Sequence, residues 1–199
     1  MRLLLPTILA LGATACPAPA DDDGPPTKCP GLYVGDVSAA PELEIVYLDA
    51  ANATQDLGDG RIPLVFPPQG GRVLFVGARA KNVDPCGVLL TGAIRDPVSK
   101  KLQLDKRTVN LVPTADGWGE SAEGDTASFA NVPACPNQWA ESDLFDAPFE
   151  LTVALEDARG KTAMKTATIT PFCGEPANEA QCRCICKKGY VLGEMCAAP

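Results

Sequence analysis

An all-β body followed by a small disulfide-rich segment is what three observations predict. From Cys29 to Cys173 the apolar residues come in short runs punctuated by Gly, Pro, Asp and Asn, with no stretch of helical period. Five of the nine cysteines fall in the last 27 residues, where no apolar periodicity supplies a core and cross-links must hold the chain. The 199 residues are 46% hydrophobic and 21% charged with 18 glycines and 19 prolines, which is a globular chain broken by many turns. That length holds one domain of ordinary size and a small appendage.

In chain order, the predicted strands are Leu43–Leu48, Ile62–Phe66, Val73–Ala80, Val88–Ile94, Lys101–Leu104 with Val109–Val112, Ala127–Val132, Phe149–Leu155 and Thr162–Thr170. Short strands at this spacing, separated by turn residues, predict a sandwich. The last pair is the clearest: Leu151, Val153 and Leu155 alternate with Thr152 and Ala154, and Asp157-Ala158-Arg159-Gly160 then reverses the chain into Ala163, Ala167 and Ile169. Alternation assigns Leu74, Val76, Leu90, Leu151, Val153, Leu155 and Ile169 to the core. Ala78, Ala93 and Ala167 predict a thin, closely packed interior.

The run Arg61-Ile62-Pro63-Leu64-Val65-Phe66-Pro67-Pro68-Gln69-Gly70-Gly71-Arg72, leading into an alternating strand and then Asn82-Val83-Asp84-Pro85, resembles bacterial envelope lipoproteins with an immunoglobulin-like sandwich. The resemblance covers roughly residues 40–173. It implies an Ig-like antiparallel β-sandwich and an envelope location, and no activity. Read physically, Pro67-Pro68 stops a ladder and Gly70-Gly71 supplies the positive φ of a tight reversal.

Ahead of the body, Arg2 and the apolar run Leu3–Leu11, with small residues from Gly12 to Ala15, form an export signal over residues 1–15. The run is too short for the roughly 20 residues that span a bilayer. Ala13-Thr14-Ala15 fits cleavage of a secreted protein, and the same residues followed by Cys16 resemble a bacterial lipobox. Parity favours the second: acylating Cys16 leaves eight cysteines that can all pair. Residues 16–28 are then a lipidated Pro/Asp-rich tether, extended and solvated. By the same resemblance, Pro17 after the acylated cysteine implies release to the outer membrane.

The tail, residues 174–199, carries Cys184-Ile185-Cys186-Lys187-Lys188-Gly189-Tyr190 and then Cys196, similar to the closing half of an EGF-like module. Zinc is the competing reading of these thiols. Structural zinc favours C-x2-C to C-x4-C knuckles, and export favours oxidation, so disulfides are expected and no metal site. The disulfide cysteines are Cys29, Cys86, Cys135, Cys173, Cys182, Cys184, Cys186 and Cys196. An Ig-like sandwich implies Cys29–Cys86 at one end and Cys135–Cys173 at the other. The EGF-like resemblance implies Cys186–Cys196, with Cys182 or Cys184 reaching back to the body. Cys182–Cys186 with Cys184–Cys196 is the alternative.

Composition closes many function classes. The chain has no histidine, which excludes Ser-His-Asp and Cys-His nucleophiles and His-held zinc or haem. Its formal net charge is −8, so no basic field gathers nucleic acid. No cofactor is implied. Asp56, Asp59, Asp116, Glu120, Glu123, Asp125, Glu141, Asp143 and Asp146 lie in predicted loops, where a glycosidase-like pair can meet but most carboxylates are simply solvated. Trp118, between glycines, and Trp139 form a candidate binding loop for a glycan or protein, or else plug the end of the sandwich. The expected function is therefore a lipid-anchored, non-catalytic binding or structural module of the bacterial envelope, meeting the membrane through its lipid and an envelope protein or glycan through its loops. The alternative is a cell-wall or polysaccharide hydrolase using loop carboxylates.

Overall fold

Eleven strands and one α-helix form among the described residues of the computed structural model, which are residue 29 and residues 31–196. The strands are β1 (Glu42–Leu48), β2 (Thr54–Asp56), β3 (Arg61–Leu64), β4 (Arg72–Lys81), β5 (Val88–Arg95), β6 (Leu102–Val109), β7 (Leu111–Pro113), β8 (Gly119–Ser121), β9 (Ala130–Cys135), β10 (Phe149–Glu156) and β11 (Thr162–Cys173). Helix α1 is Glu179–Cys186. The export signal, Cys16 and the tether lie outside the described residues.

Two sheets result. In the first, β2 pairs β1 and β1 pairs β4, whose other edge is shared by β9 at Arg72–Val76 and β8 at Arg79–Ala80, with β7 beyond β8. In the second the order is β3-β11-β10-β5-β6, antiparallel except for the parallel pair β3–β11. β4 beside β9 in one sheet, facing β5, β10 and β11 with β6 at the margin of the other, is the connectivity of an immunoglobulin-like sandwich. The proline and glycine run after β3 has the turn expected of it: Gly70 N–H donates to Pro67 O, and both glycines have positive φ. A Cβ on Gly71 would lie 2.6 Å from Cys135 O, so that position also needs glycine for close approach.

Between the sheets lie Leu74, Val76 and Ala78 of β4, Ala130 and Val132 of β9, Val88, Leu90 and Ile94 of β5, and Phe149, Leu151, Val153 and Leu155 of β10. All seven core residues read from alternation are buried. Ala93 is a correction: the register places it on the outer face of the second sheet, opposite Thr152 and Leu104, while Ala167 is half-buried. The interior is thin because Gly92 lets β5 approach the first sheet. A second, smaller apolar cluster forms on the outer face of the first sheet, where Phe129 covers Val46, Leu48, Val73 and Phe75. Strands β2 and β8, three residues each, are below what periodicity detects, and Thr126–Ser128 is a 3-10 turn capped by Asp125 where the sequence predicted strand.

The tail departs most from expectation. The disulfides are Cys29–Cys86, Cys135–Cys186, Cys173–Cys182 and Cys184–Cys196. Cys29–Cys86 is as expected; Cys135–Cys173 and Cys186–Cys196 do not form. The reason is α1. In a strand, Cys182, Cys184 and Cys186 would point one way; on a helix at about 100° per residue, Cys182 and Cys186 share a face and Cys184 points opposite. Cys182, Ile185 and Cys186 are buried and join the main core, while Cys184 turns out toward Cys196. Asn137 N–H donates to Ile185 O and Leu144 N–H to Cys186 O, tying α1 beneath the β9–β10 connection. The guanidinium of Arg72, fully buried, reaches Glu175 at 2.6 Å, Gln181 at 2.7 Å and Asn178 O at 3.2 Å.

At the same end Asp96, fully buried, closes the β5–β6 turn and holds the β9–β10 connection. Burial pushes its carboxyl up, but the Ser99 hydroxyl and the N–H groups of Glu141, Val98 and Ser99 outweigh that and bring the pKa to about 2. A carboxylate depressed from 3.8 stabilises the fold fully above pH 4, and its contribution of about 2 kcal/mol is lost as pH falls through 2. Asp96→Asn is expected to lower stability by about 2 kcal/mol near neutrality. Thermal unfolding of both proteins between pH 6 and 2 checks this, the gap in Tm narrowing only below pH 4.

Candidate functional site

The two tryptophans do not meet. Trp139, 8% exposed, donates its indole N–H to Ala134 O at 2.9 Å and packs on Phe149 with ring centroids 6.0 Å apart. It packs into the core at the end of the sandwich, and a shallow cleft beside it is lined by Lys101, Glu141, Lys188 and Tyr190. Trp118 sits in the β7–β8 turn, half-buried, with the guanidinium of Arg79 4.5 Å from its ring centroid and Lys81 Nζ at 5.9 Å. Arg72 and Arg79 are seven residues apart on one strand, so the two tryptophans occupy its opposite ends.

Arg79 is a hub the sequence did not reveal. From the outer face of β4 it reaches Glu44 on β1 at 2.5 Å, Glu120 on β8 at 3.2 Å, and Asp116. Register explains the cluster, because Arg79 stands directly between Glu44 and Glu120 in the ladder. Beside it a cleft of about 520 Å³ is lined by Thr54, Asp56, Thr114, Glu120 and Glu123 among others. Burial pushes the Glu120 carboxyl above its usual range, Arg79 draws it back, and Asp56, Asp116 and Glu123 add to the rise.

Thus three of the nine loop carboxylates, Asp56, Glu120 and Glu123, share one cleft. The others are used by the fold. Asp59 accepts from Arg61 N–H, Asp116 pairs with Arg79, and Asp125 caps the 3-10 turn. Glu141 pairs with Lys188, Asp143 accepts from Lys188 N–H, and Asp146 pairs with Arg183.

A second cleft, of about 630 Å³, lies over the smaller apolar cluster. Its walls are Val65, Phe66, Pro67 and Pro68 on one side and Thr126, Ala127 and Asn131 on the other, with Phe75 between and Arg107, Gln69 and Glu175 at the rim. The turn that the sequence marked only as punctuation therefore builds one wall of this cleft. Its two charges are held by partners: Asp105 accepts from Arg107 and also from Asn131 N–H, and Arg72 holds Glu175 while lying over the Phe66 ring at 4.7 Å. An apolar floor with a few fixed polar groups suits a small ligand or a protruding side chain.

No protein-family model matches this chain. No curated protein and no solved structure matches it either. The sites therefore stand on geometry alone. Among the described residues no helix is long and apolar enough to cross a membrane, and no cluster of Cys, Asp and Glu is arranged to hold a metal. All eight cysteines from Cys29 onward are consumed by disulfides, so none is a thiolate nucleophile or ligand.

Proposed function

We propose that the chain is a lipid-anchored, extracytoplasmic binding or structural module of a bacterial cell envelope, without catalytic activity. The observation that carries this reading is the pairing of Cys29, Cys86, Cys135, Cys173, Cys182, Cys184, Cys186 and Cys196 in four disulfides, which leaves Cys16 alone for acylation. Four disulfides belong to an oxidising compartment. The export signal supplies the route and the Pro/Asp-rich segment the tether. The Phe66–Phe75 cleft is the binding surface we assign to the module, facing an envelope protein or glycan. Loop carboxylates tied into turns and ion pairs support a non-catalytic role. The acidic cleft beside Arg79 favours the second reading, a polysaccharide hydrolase, because its raised Glu120 is the kind of carboxyl that can act as an acid.

Cys16→Ser is the direct test. We expect the native chain in the membrane fraction, partitioning into detergent, and the variant soluble or unprocessed in amounts shifted by more than tenfold. A variant that stays with the membrane as the native chain does overturns the anchor. Hydrolysis of cell-wall or polysaccharide substrates that Glu120→Gln abolishes would replace the module by the hydrolase.

A further inference from the structure

We propose that the outer face of the second sheet is a self-association surface, on which two copies of this chain meet about a twofold axis. The register places four outward side chains on each of four strands. Leu102, Leu104, Lys106 and Thr108 of β6 stand beside Arg95, Ala93, Thr91 and Leu89 of β5. Glu150, Thr152, Ala154 and Glu156 of β10 follow, and then Thr168, Thr166, Met164 and Thr162 of β11.

Six of these sixteen side chains are apolar and six are threonine, and the face carries three of the exposed large apolar side chains: Leu102 at 39%, Leu104 at 52% and Met164 at 71%. At about 4.8 Å between strands and about 6.8 Å between alternate residues, the sixteen positions cover roughly 500 Å² in plane. That exceeds the roughly 400 Å² per side of an incidental packing contact and approaches the roughly 800 Å² of a standard interface, so a moderate, concentration-dependent dimer is the fitting assembly.

Charge identifies the occupant as a second copy. The chain carries −8, yet this face holds two cations, Arg95 and Lys106, and two anions, Glu150 and Glu156. Two such acidic molecules can meet on this balanced face without net like-charge repulsion. An axis running close to the strand direction, between β5 and β10, sets β5 of one copy on β10 of the other. Residues of one row then face each other, so Arg95 meets the partner's Glu150, twice by symmetry, while at the flanks Leu104 lies on the partner's Thr166 and Met164 on the alkyl stem of the partner's Lys106. Within one chain Arg95 already lies 3.3 Å from Glu150, so the dimer makes a four-charge square from two existing pairs.

Sedimentation velocity over a wide concentration range, on the full chain carrying Cys16→Ser so that micelles play no part, tests this. We expect a monomer–dimer equilibrium that Leu104→Lys or Met164→Lys weakens at least tenfold. Both side chains are exposed in the single chain, and circular dichroism should show both variants folded. Val191→Lys, at an exposed apolar site in the tail, should leave the equilibrium unchanged. Arg95→Glu should weaken association, and adding Glu150→Arg should restore it. A chain that stays monomeric, a dimer indifferent to Leu104→Lys and Met164→Lys, or a charge swap that fails to restore association overturns the proposal. So does cross-linking that finds an unlike protein on this face while the chain itself stays monomeric.

Discussion

Gly92→Ala is expected to destabilise the fold by about 3 kcal/mol, at the upper end of what overpacking a core costs. The position lies on the inner face of β5, and a Cβ there would stand 2.9 Å from Val132 Cγ2 and 3.0 Å from Ala130 Cβ on β9, and closer still to Val76 of β4. None of these can yield without moving the opposite sheet, because all three neighbours are buried in ladders of their own. A drop in Tm of roughly 10 °C is the observable for a body of this size. Thr91→Ala, one residue away on the outer face, should stay within about 0.5 kcal/mol. Equal effects at the two positions would mean that the sheets are farther apart than the fold has them.

The joint substitution Cys135→Ala and Cys186→Ala should cost about 4 kcal/mol by the chain-entropy estimate for a link of sequence separation 51. Its effect should also be directional. With that link gone, α1 keeps Cys173–Cys182, the Arg72–Gln181 contact and the hydrogen bonds from Asn137 and Leu144 to hold it against the sandwich. Hydrogen exchange should therefore rise first in α1 and around Trp139, whose neighbour Asn137 is bonded to Ile185 and Cys186. Removing Cys184 and Cys196 together should cost less, about 3 kcal/mol for a separation of 12, and leave Trp139 protected. The reverse order would contradict the docking of the tail.

Much of the sandwich was legible because strands with one buried face write their burial into alternate residues, as Leu151, Val153 and Leu155 do. What stayed hidden depends on partners distant in sequence. Gly92 reads locally as a weak point of a strand; only the opposite sheet makes it necessary. Arg79 looks like any exposed arginine until Glu44, Asp116 and Glu120 converge on it from three other segments. The Pro67-Pro68-Gln69-Gly70-Gly71 run announced a turn and could not announce the cleft it walls.

The tail was misread for a different reason. An alternating C-x-C-x-C reads locally as extended chain, whereas Pro176 opening a 3-10 turn and the Glu179–Arg183 pair four residues apart signal a helix. With eight residues that helix lies below the length that apolar periodicity can establish. The disulfide pairing of the tail follows from that helix, which turns Cys182 and Cys186 inward and Cys184 outward.

The central claim is that every cysteine of the folded body is paired and that Cys16 alone remains to carry lipid. Intact-mass measurement of the native chain, taken from the envelope without reduction and treated with a thiol alkylator, tests it most directly. The account predicts a chain beginning at Cys16, heavier than the bare polypeptide by its acyl groups, with no alkylator added and eight additions after reduction. A chain of bare polypeptide mass, or one that takes up alkylator before reduction, would contradict it.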